Sequence, residues 1–410
     1  MVSFTILTEE NPQTQEVLFI LNQMNVPASS CTIAPTYIDG RSEGKFVVST
    51  DIGVDVPLQL FSGESSSVDY IVLDANGSPI LLIESTQTTD KDSRNTAWNQ
   101  RVTKFSVCKR MIPNARKIMY YTDDMSKHTS GTADFGMRLL STMGVEMWNP
   151  GGQLISPKFV TVEELVTAKN RLADKSPSHN VPVRLEIVDK VVVISGRLNK
   201  TAGRMDNDPN IGLFSGIINA VHEIDPSYAF KIINHRLDVT NIREKNKFWF
   251  GVRGIDVTID GFNGVRAALP TSYLRTISKG EKLSTILFQH QTGLPVAFHN
   301  HAGCQRSAFK GADGVYTPVP KKVTMPDVVL VDLATKTLFL TEGKDSSKVV
   351  GAQNQLDNLQ DFMKICDKAY PGFTLQRGLC LYLDKPIGEL RFPVWFALSP
   401  SGVCTKTFPA

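Results

Sequence analysis

The stretch Met325-Pro-Asp-Val-Val-Leu-Val-Asp332, followed after a polar break by Leu338-Phe-Leu-Thr-Glu-Gly-Lys344, decides how the chain reads. Two short apolar runs rich in Val, Leu and Phe flank Asp332-Leu-Ala-Thr-Lys-Thr337, the pattern of a β-hairpin. Side chains alternate along a strand, so Glu342 and Lys344 project together while Gly343 turns away. Asp327 starts the neighbouring strand and reaches the same spot. Two carboxylates at the end of a hairpin make an oxygen-rich site suited to Mg²⁺, a hard ion that often binds beside substrate phosphates. A lysine next to them holds the attacking hydroxide and offsets charge growing on a pentavalent phosphorus. The constellation reads as metal-assisted phosphodiester hydrolysis.

The same pattern recurs near the N-terminus. Val68-Asp-Tyr-Ile-Val-Leu-Asp74 and Ile80-Leu-Leu-Ile-Glu-Ser-Thr86 align without gaps on the later hairpin, pairing Asp69 with Asp327, Asp74 with Asp332 and Glu84 with Glu342. The likeness continues: Asn99-Gln100 and Phe105 match Asn354-Gln355 and Phe362, Cys108 matches Cys366, Pro113 matches Pro371, and Tyr121-Thr-Asp123 matches Tyr382-Leu-Asp384. Two copies of one αβ module follow. They differ at one chemical position, because Thr86 stands where the second copy has Lys344. Either the first copy has lost its chemistry and serves as scaffold or DNA-binding unit, or a lysine reaches in from elsewhere, with Lys91 and Lys104 as candidates.

Pro326-Asp327 with Glu342-x-Lys344 resembles the signature of the PD-(D/E)XK nuclease superfamily, which holds most type II restriction endonucleases. The resemblance implies that Asp327 and Glu342 are Mg²⁺ ligands and Lys344 the catalytic lysine, with Asp69 and Glu84 as catalytic metal ligands of the first copy. It also implies that a helix ahead of the first core strand can lend an acid, for which Glu16 and, more weakly, Glu281 are candidates.

Length, at 410 residues, allows two or three domains with proper cores, and the composition is that of an ordinary globular protein. No apolar run approaches the roughly 20 residues that span a bilayer, and no signal-peptide pattern opens the chain, so a cytoplasmic location and no membrane partner are expected. The six cysteines form no Cys-x-x-Cys pair, which excludes a common zinc framework and a secreted disulfide scaffold. Phe298-His-Asn-His301 with Cys304 holds zinc-type ligands, but no fourth is evident. The net charge of +3 is only mildly basic, so a nucleic-acid face depends on where the cations lie.

The expected architecture is α/β: two restriction-endonuclease-like modules, each a mixed sheet flanked by helices, over residues 1–152 and 276–410, around a central α+β region over 153–275 unlike either copy. That centre is expected to recognise DNA through Arg197, Lys200, Arg204 and Asn207, then Arg236, Arg243 and Lys245 beside an aromatic run. Such basic and amide groups clamp phosphates and read base edges. Gln355, on the helix expected over Val349 to Cys366, is a further DNA contact by the resemblance. The expected function is Mg²⁺-dependent, sequence-specific cleavage of double-stranded DNA, by a monomer with two modules or by a homodimer. A repair or recombination nuclease, or a non-catalytic DNA-binding protein on decayed modules, are the alternatives.

Overall fold

Apolar runs bounded by turn residues become strands and the longer stretches between them helices, giving an α/β chain of mixed sheets flanked by helices. The computed structural model describes residues 3–37, 44–63, 67–86, 91–122, 131–155, 157–175, 183–196, 209–234, 248–259, 274–275, 279–300, 308–320, 322–401 and 404–407. In chain order, β1 (Phe4–Thr8) and α1 (Thr14–Gln23) precede β2 (Cys31–Pro35), β3 (Lys45–Thr50), β4 (Asp55–Leu60) and β5 (Ser62–Gly63). The hairpin β6 (Tyr70–Asp74) and β7 (Pro79–Thr86) leads to α2 (Lys91–Met111), β8 (Arg116–Tyr121), α3 (Gly131–Thr142), β9 (Val145–Trp148) and β10 (Leu154–Ile155). Next come α4 (Val162–Asp174), β11 (Arg184–Val188), β12 (Val191–Gly196), α5 (Pro209–Ile224), β13 (Ala229–Asn234), β14 (Val257–Ile259) and β15 (Leu274–Arg275). A π turn (Lys279–Leu283) enters α6 (Ser284–Thr292), followed by β16 (Val296–His299), β17 (Ala308–Lys310), β18 (Tyr316–Pro318), β19 (Val328–Asp332) and β20 (Thr337–Asp345). The chain closes with α7 (Val349–Asp357), α8 (Gln360–Ala369), β21 (Thr374–Tyr382), β22 (Val394–Leu398) and β23 (Cys404–Lys406). No described helix is long and apolar enough to cross a membrane.

Two compact units result: Met1–Ser30 with Ser62–Arg275, and Cys31–Phe61 with Thr276–Ala410. In the second, β16, β19, β20, β21, β22 and β23 lie side by side, paired antiparallel, antiparallel, parallel, parallel and antiparallel. In the first, β1, β6, β7, β8, β9 and β10 follow in the same succession of senses. A helical crossover joins the parallel pair in each, α2 between β7 and β8, α7 with α8 between β20 and β21. This is the connection that parallel neighbours require.

The hairpins agree over the three rungs next to the acids, after which a bulge between Val72 and Leu73 sets Leu73 against Pro79 where Val331 faces Leu338. Tyr70 faces Ile83, Ile71 faces Leu82 and Val72 faces Leu81, while Val328 faces Thr341, Val329 faces Leu340 and Leu330 faces Phe339. The alignment that equates Asp69 with Asp327 and Glu84 with Glu342 predicts this register. Beyond the helices it slips. Thr86 lies opposite Tyr121 and Lys344 opposite Leu381, so Tyr121 and Leu381 share a rung, rather than Tyr121 and Tyr382. The helix expected over Val349 to Cys366 is interrupted at Asn358-Leu359.

Strands β19 and β20 are buried almost throughout, as expected for central strands covered on both faces. Leu338, Leu340, Val329 and Val331 pack with Leu356, Phe362 and Cys366 of the crossover helices. Each such apolar side chain stabilises by roughly 1.5–3 kcal/mol when fully buried. The neighbouring Gly378 of β21 is held to glycine by packing, since a Cβ there would stand 2.3 Å from the Trp395 ring. At the hairpin turn, Asp332 Oδ1 accepts from Ala334 N at 2.8 Å and Thr335 N at 3.2 Å, and Lys336 takes a left-handed φ of 51°. An aspartate at the turn entrance does this routinely.

The centre departs from the reading that made it unlike either copy. Strands β11 and β12 form an antiparallel hairpin, α5 crosses over, and β13 and β14 add in parallel. This is the same succession as at β19, β20, β21 and β22. Val183 and Gly196 flank its hairpin where Asp327 and Glu342 flank the other, so no acid pair forms there. The central hairpin alternates buried and exposed positions along β11, where β19 and β20 are buried almost throughout, and it lacks the acids. Residues 153–275 lie in the same unit as residues 1–30 and 62–152, while 31–61 group with the chain from 276 onward.

Candidate active sites

In the unit containing the C-terminal hairpin, Asp327 sits one residue before β19 and Glu342 one residue past the last hairpin rung on β20. Pairing brings them together. Asp327 Oδ2 accepts from Gly343 N at 2.9 Å, so the backbone of the neighbouring strand fixes the carboxylate. Lys344 Nζ lies 3.2 Å from Asp327 Oδ2 and 2.9 Å from Glu342 Oε1. The latter is an ion-pair contact without hydrogen-bond alignment, so Oε1 is buried with compensating charge nearby but no aimed donor. The other oxygen, Oε2, accepts from Gln355 Nε2 at 3.0 Å, and the same amide nitrogen donates to Met325 O at 2.7 Å. Gln355, expected to face DNA, thus has its amide donors directed onto the site's own carboxylate and loop.

Glu342 has no solvent exposure. Burial, then the charge of Asp327, pushes its carboxyl up to about 8 against the opposing pull of Lys344. Burial next to Asp327 also holds the Cys380 thiol well above its usual range, which keeps it an inert hydrophobe.

The N-terminal hairpin builds a parallel arrangement from different parts. Asp69 Oδ2 accepts from Ser85 N at 2.9 Å, the counterpart of the Gly343 bond. Lys104, from α2, donates to both oxygens of Glu84 at 2.8 Å and stands 3.9 Å from Asp69. Of the two lysines expected to reach in, Lys104 is the one placed here. Lys91 opens α2, and its side chain lies outside the described residues. Burial, followed by the charge of Asp69, raises Glu84 to about 7, with Lys104 and Arg101 pulling the other way. Burial opposes the charge on Lys104, but Glu84 and Asp69 outweigh it and hold the ammonium above the ordinary lysine range.

Glu16 joins from the first turn of α1. It accepts from Ser85 Oγ at 2.5 Å and from the Tyr70 hydroxyl, and burial lifts its carboxyl to about 7. The side chain of its weaker counterpart Glu281 lies outside the described residues. So do Arg197, Lys200, Arg204, Asn207, Arg236, Arg243 and Lys245, the expected DNA contacts of the centre, as well as His301 and Cys304. Among the described residues, no three His, Cys, Asp or Glu side chains converge as a cation cage.

Sequence reasoning gave no role to Arg101, whose guanidinium donates to Thr86 Oγ1, nor to Tyr70 and Ser85, which hold Glu16. Arg101 precedes Lys104 by one helical turn, and that i, i+3 spacing was a usable signal once the helix pointed at the hairpin. Comparison of the chain with family models, curated proteins and solved structures finds no match.

Proposed function

We propose that the chain is a Mg²⁺-dependent endonuclease that hydrolyses double-stranded DNA at specific sequences, as type II restriction endonucleases of the PD-(D/E)XK superfamily do. One observation carries this reading: in both hairpins an aspartate fixed by the neighbouring strand's backbone N–H meets a buried glutamate, and a lysine ammonium stands against the pair. Buried acids are costly without compensation, and the presence of the pair in both hairpins favours a chemical reason for it.

The residues present fit a hard divalent ion. Each site offers carboxylate oxygens only, and Glu342 Oε1 is buried without an aligned donor, a position that an ion would satisfy. Two protein carboxylates with further oxygens from water and phosphate are the usual Mg²⁺ complement. When bound, Mg²⁺ supplies Lewis-acid polarisation of the phosphate and a lowered pKa for the attacking water. The chain's own groups do the rest. Asp327 and Glu342 would hold the ion, with Gln355 and the Gly343 amide orienting them. Lys344 positions the nucleophile and offsets charge on phosphorus as the bond to the 3′ oxygen breaks. In the N-terminal hairpin, Asp69 and Glu84 would hold the ion, and Lys104 supplies the ammonium.

The test is incubation of the protein with phage DNA in Mg²⁺, with Ca²⁺ as a parallel sample. Discrete fragments in Mg²⁺ and binding without cutting in Ca²⁺ are expected. Salt-dependent duplex binding with no cutting at any Mg²⁺ concentration would reject the enzyme in favour of a DNA-binding protein. Preference for branched or single-stranded DNA would move it to repair.

A further inference from the structure

We propose, resting on the nuclease reading above, that Arg101 is a catalytic residue of the N-terminal site and supplies there the phosphate-contacting cation that Lys344 supplies in the C-terminal one. The ladders define the position. Glu84 and Thr86 are two residues apart on β7, as Glu342 and Lys344 are on β20, so Thr86 presents its side chain to the same face as Glu84. The Lys344 position in this hairpin is therefore a buried threonine, and the group docked on its hydroxyl is the Arg101 guanidinium.

The two cations of α2 divide the work that Lys344 does alone. The Lys104 ammonium directs two of its three donors to the Glu84 oxygens and also faces Asp69, so its charge is committed to the acid pair. Arg101, one turn earlier on the same helix, bonds a neutral hydroxyl, and its charge also acts on Glu84. A guanidinium presents five donors in a planar fork that matches two phosphate oxygens at once, which an ammonium does not. A phosphodiester approaching this acid pair needs more positive charge than one lysine already committed to both acids.

In the step assigned to this site, the oxygen of water bonds to phosphorus in line with the 3′ oxygen as the P–O3′ bond breaks. The water's proton passes to solvent, the 3′ oxygen takes up a proton and leaves as a hydroxyl, and the 5′ phosphate carries the added oxygen. Arg101 holds the non-bridging oxygens on which charge accumulates.

The experiment uses the full chain carrying Glu342→Ala, which confines cutting to the N-terminal site, and follows nicking of a supercoiled plasmid in single-turnover Mg²⁺ reactions. Adding Arg101→Ala is expected to slow nicking about 100- to 1000-fold, the size of effect seen when one transition-state donor is removed. Duplex affinity in Ca²⁺ and the near-ultraviolet circular dichroism should change little, and Arg101→Lys should recover at least about tenfold of the rate, as a retained charge predicts. Nicking by Arg101→Ala at the parental rate, or equal losses of rate and Ca²⁺-supported affinity without rescue by lysine, would overturn the proposal while leaving the nuclease reading in place. Cutting by the unsubstituted protein but none by the Glu342→Ala chain would confine activity to the C-terminal site and overturn it too. A chain inert in every form removes the nuclease reading and this inference together.

Discussion

Glu342→Ala is expected to turn a protein that cuts both strands of a plasmid into one that nicks a single strand, with the rate at the C-terminal site falling about 1000-fold or more. The substitution removes a carboxylate that would hold the ion, and also the contact that Lys344 makes at 2.9 Å. A loss of roughly 4 kcal/mol of charge stabilisation, within the range of a Lewis-acid contribution, corresponds to that factor. Folding should survive, because the lost group is a buried acid whose ionised form is disfavoured, and Asp327 keeps both its Gly343 amide and Lys344. Glu84→Ala should give the converse nick through the other hairpin, and the double variant should be inert while still binding duplex. Agarose gels separate supercoiled, nicked and linear plasmid directly. Linear product from Glu342→Ala at the unsubstituted rate would remove Asp327, Glu342 and Lys344 from the active site.

The second large effect is a linkage between pH, stability and divalent ions. Glu16 and Glu84 titrate near 7 and Glu342 near 8 in the folded chain, against an ordinary value of 4.5. Between those limits the folded state binds more protons than the unfolded one. Stability from these acids is therefore complete below about pH 4.5 and is lost as the pH climbs through 7 to 8. Each unit of displacement is worth about 1.4 kcal/mol, and each kcal/mol lost lowers Tm by about 2–4 °C for domains of this size, so the fall over this window is readily measured. Scanning calorimetry in chelator should show Tm falling from pH 5 to pH 8.5. Adding Mg²⁺ or Ca²⁺ should restore it most strongly at the alkaline end, where the carboxylates are ionised and able to take the ion. Glu84→Gln with Glu342→Gln should leave only the shallower slope due to Glu16 and abolish the ion's effect. A Tm that rises with pH, or that ignores divalent ions at pH 8.5, would contradict the buried-acid account.

How much of this was legible in the chain follows from the range of each interaction. The hairpins and their acid pairs are local: strand alternation and a polar turn fix which side chains share a face, so Asp327 could be matched to Glu342, and Asp69 to Glu84, before any tertiary contact was known. The backbone donors Gly343 and Ser85 were invisible, because an N–H carries no residue signature. Lys104 could be named as a candidate but not chosen, since its reach to Glu84 depends on how α2 lies over the sheet. Arg101 was hidden for the same reason. Gln355 was assigned outward when its amide turns onto Glu342, a choice between two ends of one polar side chain that periodicity does not make. The grouping of residues 31–61 with those after 276 is also non-local. Phe46 and Val48 alternate inward along β3 and read as any half-buried strand, yet Phe46 packs on His290 of α6.

Crystals soaked in Mn²⁺, with anomalous difference maps computed at the manganese edge, put the central claim to its most direct trial. The account predicts one peak between the Asp327 and Glu342 carboxylates and a second between those of Asp69 and Glu84, each lost with its own glutamate. Maps without density at either pair, or with ions bound only elsewhere on the chain, would contradict it.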